Sequence, residues 1–225
     1  MGLQIVIPMA GRGQRFRDAG YDGPKPLIDV DGMPMAWRVL SNLPYGDSTP
    51  LLLALEEHRA ELGGEIVRRL HEMAEATKAT KRFCWVGAVT QGAACTVLLA
   101  ENYVDDDPLL IANCDQWLDW SPEHFADFVR RDGCDGAAVT FRASGPKWSY
   151  ADVREDGTIA AIAEKMPISN DGTCGLYYWR RAEDCFRSIK RMMEKGLTTN
   201  GEYYIAPSFN EMILDGARII AYPVP

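Results

Sequence analysis

The chain has fewer positive than negative charges. Its 225 residues include 24 Lys and Arg against 32 Asp and Glu, which gives a formal net charge of -8 at pH 7. Nucleic-acid binding rests on neutralising many phosphates with a broad basic surface, so this balance argues against a nucleic-acid partner. An acidic protein that handles phosphates must gather its cations locally or use a bound metal ion.

Long apolar runs are absent as well. No stretch approaches the roughly 18 apolar residues of a membrane-spanning helix, and the first four residues, MGLQ, lack the basic start of a signal peptide. We therefore expect no membrane partner and a cytoplasmic location. The shares of hydrophobic residues (47%) and charged residues (25%) are ordinary for a folded globular domain.

Cysteine and histidine motifs are also missing. The six cysteines are scattered without a C-x-x-C pair, and no histidine stands near them at the spacing of a zinc site. We predict that the cysteines are reduced and mostly buried. The three histidines, His58, His71 and His124, fall among charged residues of predicted helices, and we interpret them as surface or packing residues.

Apolar runs alternate with amphipathic segments, which is typical of βαβ units in a mostly parallel sheet with helices on both faces. In the first half of the chain, this pattern predicts strands at 3–8, 51–55, 82–89 and 109–113, and helices at 35–43, 56–76 and 93–102. The second half predicts helices at 123–131, 181–194 and 202–214, and strands at 137–142, 151–154, 158–163, 173–179 and 218–223.

The second half differs because two of its strands read as a hairpin that turns at residues 155–157. We predict a single α/β domain over residues 1–225, doubly wound and Rossmann-like, with a mostly parallel sheet. Residues 1–120 form the nucleotide-binding half. Residues 121–225 form the acceptor-binding half, in which an antiparallel extension lines the acceptor side.

A glycine-rich loop follows the first predicted strand directly. Residues 9–16 read MAGRGQRF. Because Gly11 and Gly13 lack a Cβ, their backbone N–H groups can approach a triphosphate closely, and Arg15 adds a planar fork for phosphate oxygens. The loop lacks the third glycine of the dinucleotide fingerprint, where Phe16 stands, and it lacks the G-K-[ST] of a P-loop.

A lysine follows this loop in a restrained position. Lys25 comes ten residues after Arg15, between Pro24 and Pro26, which limit the backbone conformations open to it. A compact ammonium group suits phosphate oxygens both in the ground state and in the transition state of a phosphoryl transfer.

Together, G-x-G-x-R-F, K-P-L-I at 25–28 and D-G-M-P-M at 31–35 resemble the N-terminal signature of the sugar nucleotidyltransferases. Weaker motifs extend the resemblance over most of the chain. It implies an Mg²⁺-dependent enzyme that joins a nucleoside triphosphate to a sugar 1-phosphate, releases pyrophosphate and serves NDP-sugar and polysaccharide biosynthesis. A homo-oligomer is compatible with it.

A carboxylate ends the buried predicted strand LLIANCD at residues 109–115. A hard oxygen ligand at that edge can hold Mg²⁺ against a triphosphate, and the resemblance implies that Asp115 is the metal ligand. The family usually supplies a second metal-binding aspartate after a segment like 219–224, and no aspartate follows here. We expect an incomplete chain, fewer protein ligands or impaired catalysis. Glu202 and Asp215 are conceivable substitutes.

The resemblance also assigns roles to the remaining candidate residues. Arg15, Lys25 and Asp115 are the catalytic set. The nucleotide-binding residues are Ala10, Gly11, Gly13, Gln91, Gly92 and Asn113, with Gln91 and Gly92 reading the base. The acceptor-binding residues are Tyr150, Glu164, Lys165, Gly175, Asn200 and Glu202.

Three alternatives stay open at this stage. A cytidylyltransferase for a non-sugar phosphate such as phosphocholine would use the same motifs. A glycosyltransferase predicts D-x-D, whereas Asp115 and Asp119 give D-x-x-x-D. A non-catalytic nucleotide-binding domain would bind a triphosphate without releasing pyrophosphate. The sequence does not identify the base or the acceptor.

Overall fold

A sheet of nine strands organises the part of the chain that the computed structural model describes, which is residues 2–44, 50–62, 64 and 82–225. The strands of this sheet are β1 (Gln4–Met9), β4 (Leu51–Leu55), β5 (Arg82–Val86), β6 (Leu109–Ala112), β7 (Gly136–Arg142), β8 (Ser149–Val153), β9 (Ile159–Glu164), β10 (Asp171–Trp179) and β11 (Ile219–Pro223). A separate two-stranded hairpin consists of β2 (Asp29–Val30) and β3 (Met33–Pro34).

Helices in the described residues include α1 (Gln14–Asp18), α2 (Met35–Leu40), α3 (Ala93–Leu98), α4 (Pro122–Asp132), α5 (Ala182–Glu194) and α6 (Phe209–Leu214). Short 3-10 helices lie at Lys25–Leu27, Glu56–His58 and Ala206–Ser208. Among the described residues, no helix is both long and apolar enough to cross a membrane.

The sheet confirms the predicted α/β class. Strands β6, β1, β4 and β5 are parallel neighbours in that order. Strand β10 is antiparallel to both β6 and β7, and β11 is parallel to β7 at the far edge. The predicted hairpin is present as β8 and β9, and β8 also pairs with β10. The antiparallel extension is therefore continuous with the parallel part of the sheet.

Apolar cores cover both faces of the sheet. Alternate residues of β1 divide between them, since Val6 belongs to one buried cluster whereas Ile5 and Ile7 belong to the other. The first cluster includes side chains of α3, α5 and α6, and the second includes side chains of α2 and α4. Burial on both faces explains why the strands read as continuous apolar runs.

The predicted helix at 202–214 is wrong in its first part. The chain makes a turn at 199–202, and helical structure begins only with the 3-10 turn at Ala206–Ser208, before α6. Pro207 contributes no backbone N–H, which favours a helix start at this point over a helix interior. Most of the predicted helix at 56–76, including His71, lies outside the described residues. His58 is buried, whereas His124 hydrogen-bonds Tyr222 at the surface over 2.7 Å.

Candidate active site

A cleft of about 740 Å³ opens at one edge of the sheet, a volume in the usual range for small-molecule sites. The loops after β1 and β6 meet there because parallel strands end at the same edge. Strand β10 runs in the opposite direction, so its first residues reach the same edge. The start of β8 pairs with β10, and the end of β9 pairs with the start of β8, so both also lie at this edge.

The glycine-rich loop lines one end of this cleft, with Ala10, Gly11, Gly13 and Arg15. Gly13 has a φ of 63°, and its carbonyl accepts the N–H groups that begin α1. A Cβ on Gly13 would lie 2.8 Å from Cβ of Lys25. Only glycine therefore suits this position, because it lets Lys25 pack against the turn. Arg15 is exposed in the first turn of α1.

Lys25 and Asp115 form an ion pair at this end. Nζ of Lys25 lies 2.5 Å from Oδ2 of Asp115, and the two side chains are 18% and 35% exposed. Burial acts to lower the pKa of Lys25, but Cys114 and Asp115 outweigh it, so the pKa is raised and the ammonium stays charged. Nζ also lies 5.3 Å from the ring centre of Phe16. Lys25 is thus a charged side chain that its neighbours fix beside the glycine-rich loop.

The end of β6 meets β10 beside this pair. The backbone N–H of Asn113 donates to the carbonyl of Gly175 over 2.9 Å. Gly175 has a φ of 87°, and a Cβ there would lie 2.2 Å from Nδ2 of Asn113. Both residues line the cleft, and glycine is required where the two strands approach.

The other end of the cleft contains a hydrogen-bonded network. The hydroxyl of Ser149 donates to the carboxylate of Glu164. The ammonium of Lys165 donates to the hydroxyl of Tyr204, which donates to Glu202 over 2.7 Å. Burial is the main cause that raises the pKa of the Glu164 carboxyl. All five side chains line the cleft.

Lys165 has an unusual backbone. Its φ is 56°, a left-handed conformation that non-glycine residues rarely adopt. The conformation is held by a hydrogen bond of 2.9 Å from its N–H to the carbonyl of Trp148. Such backbone strain is common at binding and catalytic sites, and here it turns Lys165 into the cleft at the end of β9.

Three predicted site residues do not line the cleft. Tyr150 is fully buried, and its hydroxyl donates to the carbonyl of Gly145 over 2.6 Å. Asn200 has a φ of 51° in an exposed turn with Gly201, where asparagine tolerates the left-handed conformation. Gln91 is exposed, and its amide donates to the carbonyl of Gly201 over 3.1 Å. The backbone of Gly92 does line the cleft.

Residues that no sequence motif indicated also line the cleft, among them Lys147 and Ser149. Simple hairpin register does not find Ser149. Counting outward from the turn at 155–157 pairs Ser149 with Ala163, whereas a register shift between Asp152 and Val153 pairs it with Glu164 in the structure. Asp215, considered as a substitute metal ligand, pairs instead with Arg191.

A family model described as nucleotidyl transferase matches residues 5–207. The chain belongs to the nucleotidyl transferase family. A mannose-1-phosphate guanyltransferase of Emericella nidulans is 27% identical over 146 residues, which cover 64% of this chain and 39% of that protein. A UTP–glucose-1-phosphate uridylyltransferase of Haloferax volcanii is 23% identical over 235 residues, covering 97% of this chain and 87% of that protein.

The fold has a match among solved structures. A nucleoside-diphosphate-sugar pyrophosphorylase from Vibrio cholerae superposes with a TM-score of 0.80 at 26% identity, covering 98% of this chain and 91% of that chain. The present chain spans about two fifths of the length of the guanyltransferase that it matches. The two curated relatives are both named as sugar-1-phosphate nucleotidyltransferases, and their names differ in base and sugar.

Proposed function

We propose that this chain transfers a nucleotidyl group from a nucleoside triphosphate to a sugar 1-phosphate and releases pyrophosphate. The observation that carries the proposal is the charge of the cleft. In a chain of net charge -8, the described cleft is lined by five cationic residues and three carboxylates. The cationic residues are Arg12, Arg15, Lys25, Lys147 and Lys165, and the carboxylates belong to Asp115, Glu164 and Glu202.

The proposed reaction is an in-line attack by a phosphate oxygen of the acceptor on the α-phosphorus of the triphosphate. The new bond joins that oxygen to the α-phosphorus, and the bond to the β-phosphate oxygen breaks, so pyrophosphate leaves. The attacking oxygen is already anionic near pH 7, and the step needs no general base. The described cleft fits this chemistry, because no histidine lines it. Catalysis then rests on positioning and charge neutralisation.

Three of the five cationic residues have a place in this reaction. Arg15, exposed at the start of α1, would hold the phosphates that leave. Lys25 would exchange its bond to Asp115 for contacts with the charge that grows around the α-phosphorus. Lys165, which follows β9 and lines the cleft, would bind the acceptor phosphate.

The donor set fits one kind of magnesium site. Among the described residues, no group of three or more His, Cys, Asp or Glu side chains could hold a metal ion. Mg²⁺ is often bound by one or two carboxylates together with substrate phosphates. Asp115, 35% exposed at the cleft, can be such a ligand once a triphosphate draws Lys25 away. Bound Mg²⁺ would neutralise phosphate charge.

A second acceptor class has a specific observation in its favour. Trp148 is 39% exposed and lines the acceptor end of the cleft together with Tyr204. Aromatic faces suit a quaternary ammonium as well as a sugar ring. A cytidylyltransferase for a non-sugar phosphate such as phosphocholine is therefore the alternative reaction.

Pyrophosphate release tests the proposal. The chain is incubated with Mg²⁺ and each of CTP, UTP, dTTP, GTP and ATP, against a panel of sugar 1-phosphates and phosphocholine. Release with a sugar 1-phosphate supports the proposal, and release with phosphocholine alone supports the alternative. Silence across the panel, with a triphosphate still bound, indicates a non-catalytic nucleotide-binding domain.

A further inference from the structure

Residues 199–204, here called the acceptor strap, are held by the loop before α3. The N–H of Tyr203 donates to the carbonyl of Gln91 over 2.9 Å, and the N–H of Ala94 donates to the carbonyl of Tyr203 over 3.1 Å. The side-chain amide of Gln91 adds a third bond, to the carbonyl of Gly201. Three hydrogen bonds therefore join two segments that are more than one hundred residues apart in the chain.

The two segments also touch backbone to backbone. Gly92 has a φ of 123°, and a Cβ there would lie 2.4 Å from the carbonyl oxygen of Tyr203 and 2.7 Å from its nitrogen. Hydrogen bonds within the loop before α3 also restrain it. The hydroxyl of Thr90 donates to the carbonyl of Gly92 over 2.9 Å and lies 2.6 Å from the hydroxyl of Thr96. The strap thus rests on a braced loop.

The acceptor strap carries groups that line the acceptor end of the cleft. Glu202 and Tyr204 belong to it, and the Tyr204 hydroxyl accepts a hydrogen bond from Lys165. The ring of Tyr204 also lies 4.5 Å below Nζ of Lys165. A displacement of the strap therefore moves the partner that orients Lys165.

We infer that Gln91 is a positioning residue, which holds the acceptor strap and through it Lys165, and that it does not read the nucleobase. Its side chain is exposed, lies outside the described cleft lining and donates one of its amide N–H groups to Gly201. This assignment rests on the proposed function for the role of Lys165. It replaces the base-reading role that the family resemblance implied for Gln91.

The substitution Gln91→Met tests the inference, since it removes the side-chain amide, with its donors and its acceptor, and keeps the length of the side chain. We expect the KM for the acceptor to rise about 3- to 10-fold, as for one lost hydrogen bond. The Kd of each triphosphate, measured at equilibrium without an acceptor, should stay within about twofold of wild type. A changed ratio of Kd values among the triphosphates, with an unchanged acceptor KM, would overturn the inference.

Gln4→Met is the matched control. The Gln4 amide likewise donates to a backbone carbonyl, that of Asp105, over 2.7 Å. It lies at the start of β1, at the opposite edge of the sheet from the cleft. The control should leave the acceptor KM at the wild-type value. An equal rise in both variants would assign the effect to general loosening and contradict the inference.

Hydrogen exchange separates this inference from the proposed function, because it needs no turnover. Gln91→Met should speed exchange of the amides at 202–204 roughly 10-fold relative to wild type, whereas Gln4→Met should not. If the wild type releases no pyrophosphate, the proposed function fails, and exchange together with the triphosphate Kd values still decides the role of Gln91. Unchanged exchange at the strap would contradict that role.

Discussion

The two ends of the cleft are built in different ways. The end that we assign to the triphosphate, formed by loops after parallel strands, is lined by three cationic residues and one carboxylate: Arg12, Arg15, Lys25 and Asp115. The end that we assign to the acceptor, formed by the antiparallel extension and the residues near it, has two of each: Lys147, Lys165, Glu164 and Glu202. The first end has unbalanced positive charge, whereas the second is balanced, and its Lys165, Glu164 and Glu202 side chains each take part in a side-chain hydrogen bond.

This difference suits the two substrates that we propose. A triphosphate carries a large negative charge, and a site for it gains from cations that are not fully paired in advance. A phosphorylated sugar has one charged group and many hydroxyls, so its site needs one cation and well-oriented hydrogen-bonding partners. The parallel half thus supplies charge, and the antiparallel half supplies oriented polar groups.

The largest expected effect is at Lys25. Lys25→Met removes the cation nearest the proposed site of bond making, and kcat/KM for pyrophosphate release should fall roughly 10²- to 10³-fold. Lys190→Met is a matched control, because Lys190 pairs with Glu101 over the same 2.5 Å on the surface. Thermal unfolding of both variants checks that the fold survives. Near wild-type activity in Lys25→Met would contradict the role that we assign to positive charge at the triphosphate end.

Asp115 should come next. Asp115→Asn keeps the volume and removes the charge that we assign to Mg²⁺ binding, so activity at fixed Mg²⁺ should fall about 10²-fold and the Mg²⁺ concentration for half-maximal rate should rise. The measurement is the rate as a function of Mg²⁺ concentration. Asp119→Asn, four residues on, should change neither quantity, and an equal response of the two variants would contradict the assignment.

Lys165 provides the corresponding test at the acceptor end of the cleft. Lys165→Met should raise the KM for the acceptor about 10- to 100-fold, because it removes the proposed partner of the acceptor phosphate. Initial rates over a range of acceptor concentrations measure this. Tyr204→Phe, which removes only the hydroxyl that Lys165 contacts, should have a smaller effect in the same direction. An unchanged KM in Lys165→Met would place the acceptor phosphate elsewhere.

The smallest expected effect is on the pH dependence of stability, through Glu164. Burial raises the pKa of the Glu164 carboxyl, so ionisation costs more in the folded than in the unfolded chain. The stability of the wild type therefore declines as pH rises through the unfolded and then the folded pKa. Glu164→Gln cannot ionise and still accepts a hydrogen bond from Ser149. Its stability relative to wild type, measured by denaturant unfolding, should increase from about pH 4 towards neutral pH, and a constant difference would contradict this.

Much of the sheet could be predicted from the sequence, because buried strands of four to nine residues leave apolar runs between turn residues. Strand β4 at Leu51–Leu55 is predicted to the residue. The hairpin turn also has a local signal in residues 155–157. The triphosphate end also has a local sequence signal, since its glycines and cations lie within two short stretches after β1.

The acceptor end could not be predicted as well, because it depends on contacts between distant segments. Tyr150 and Asn200 stand beside motif residues in sequence, yet one packs into the core and the other forms a turn. Alternation along β8 puts Ser149 and Tyr150 on opposite faces, and only the pairing with β9 and β10 decides which face meets the cleft.

Equilibrium binding of a triphosphate to Lys25→Met and Lys165→Met, without acceptor, tests the division of the cleft most directly. We expect weaker binding to Lys25→Met, with a Kd about 10-fold or more above wild type, and a Kd within about twofold of wild type for Lys165→Met. Equal weakening in both variants, or weakening in Lys165→Met alone, would contradict separate triphosphate and acceptor ends.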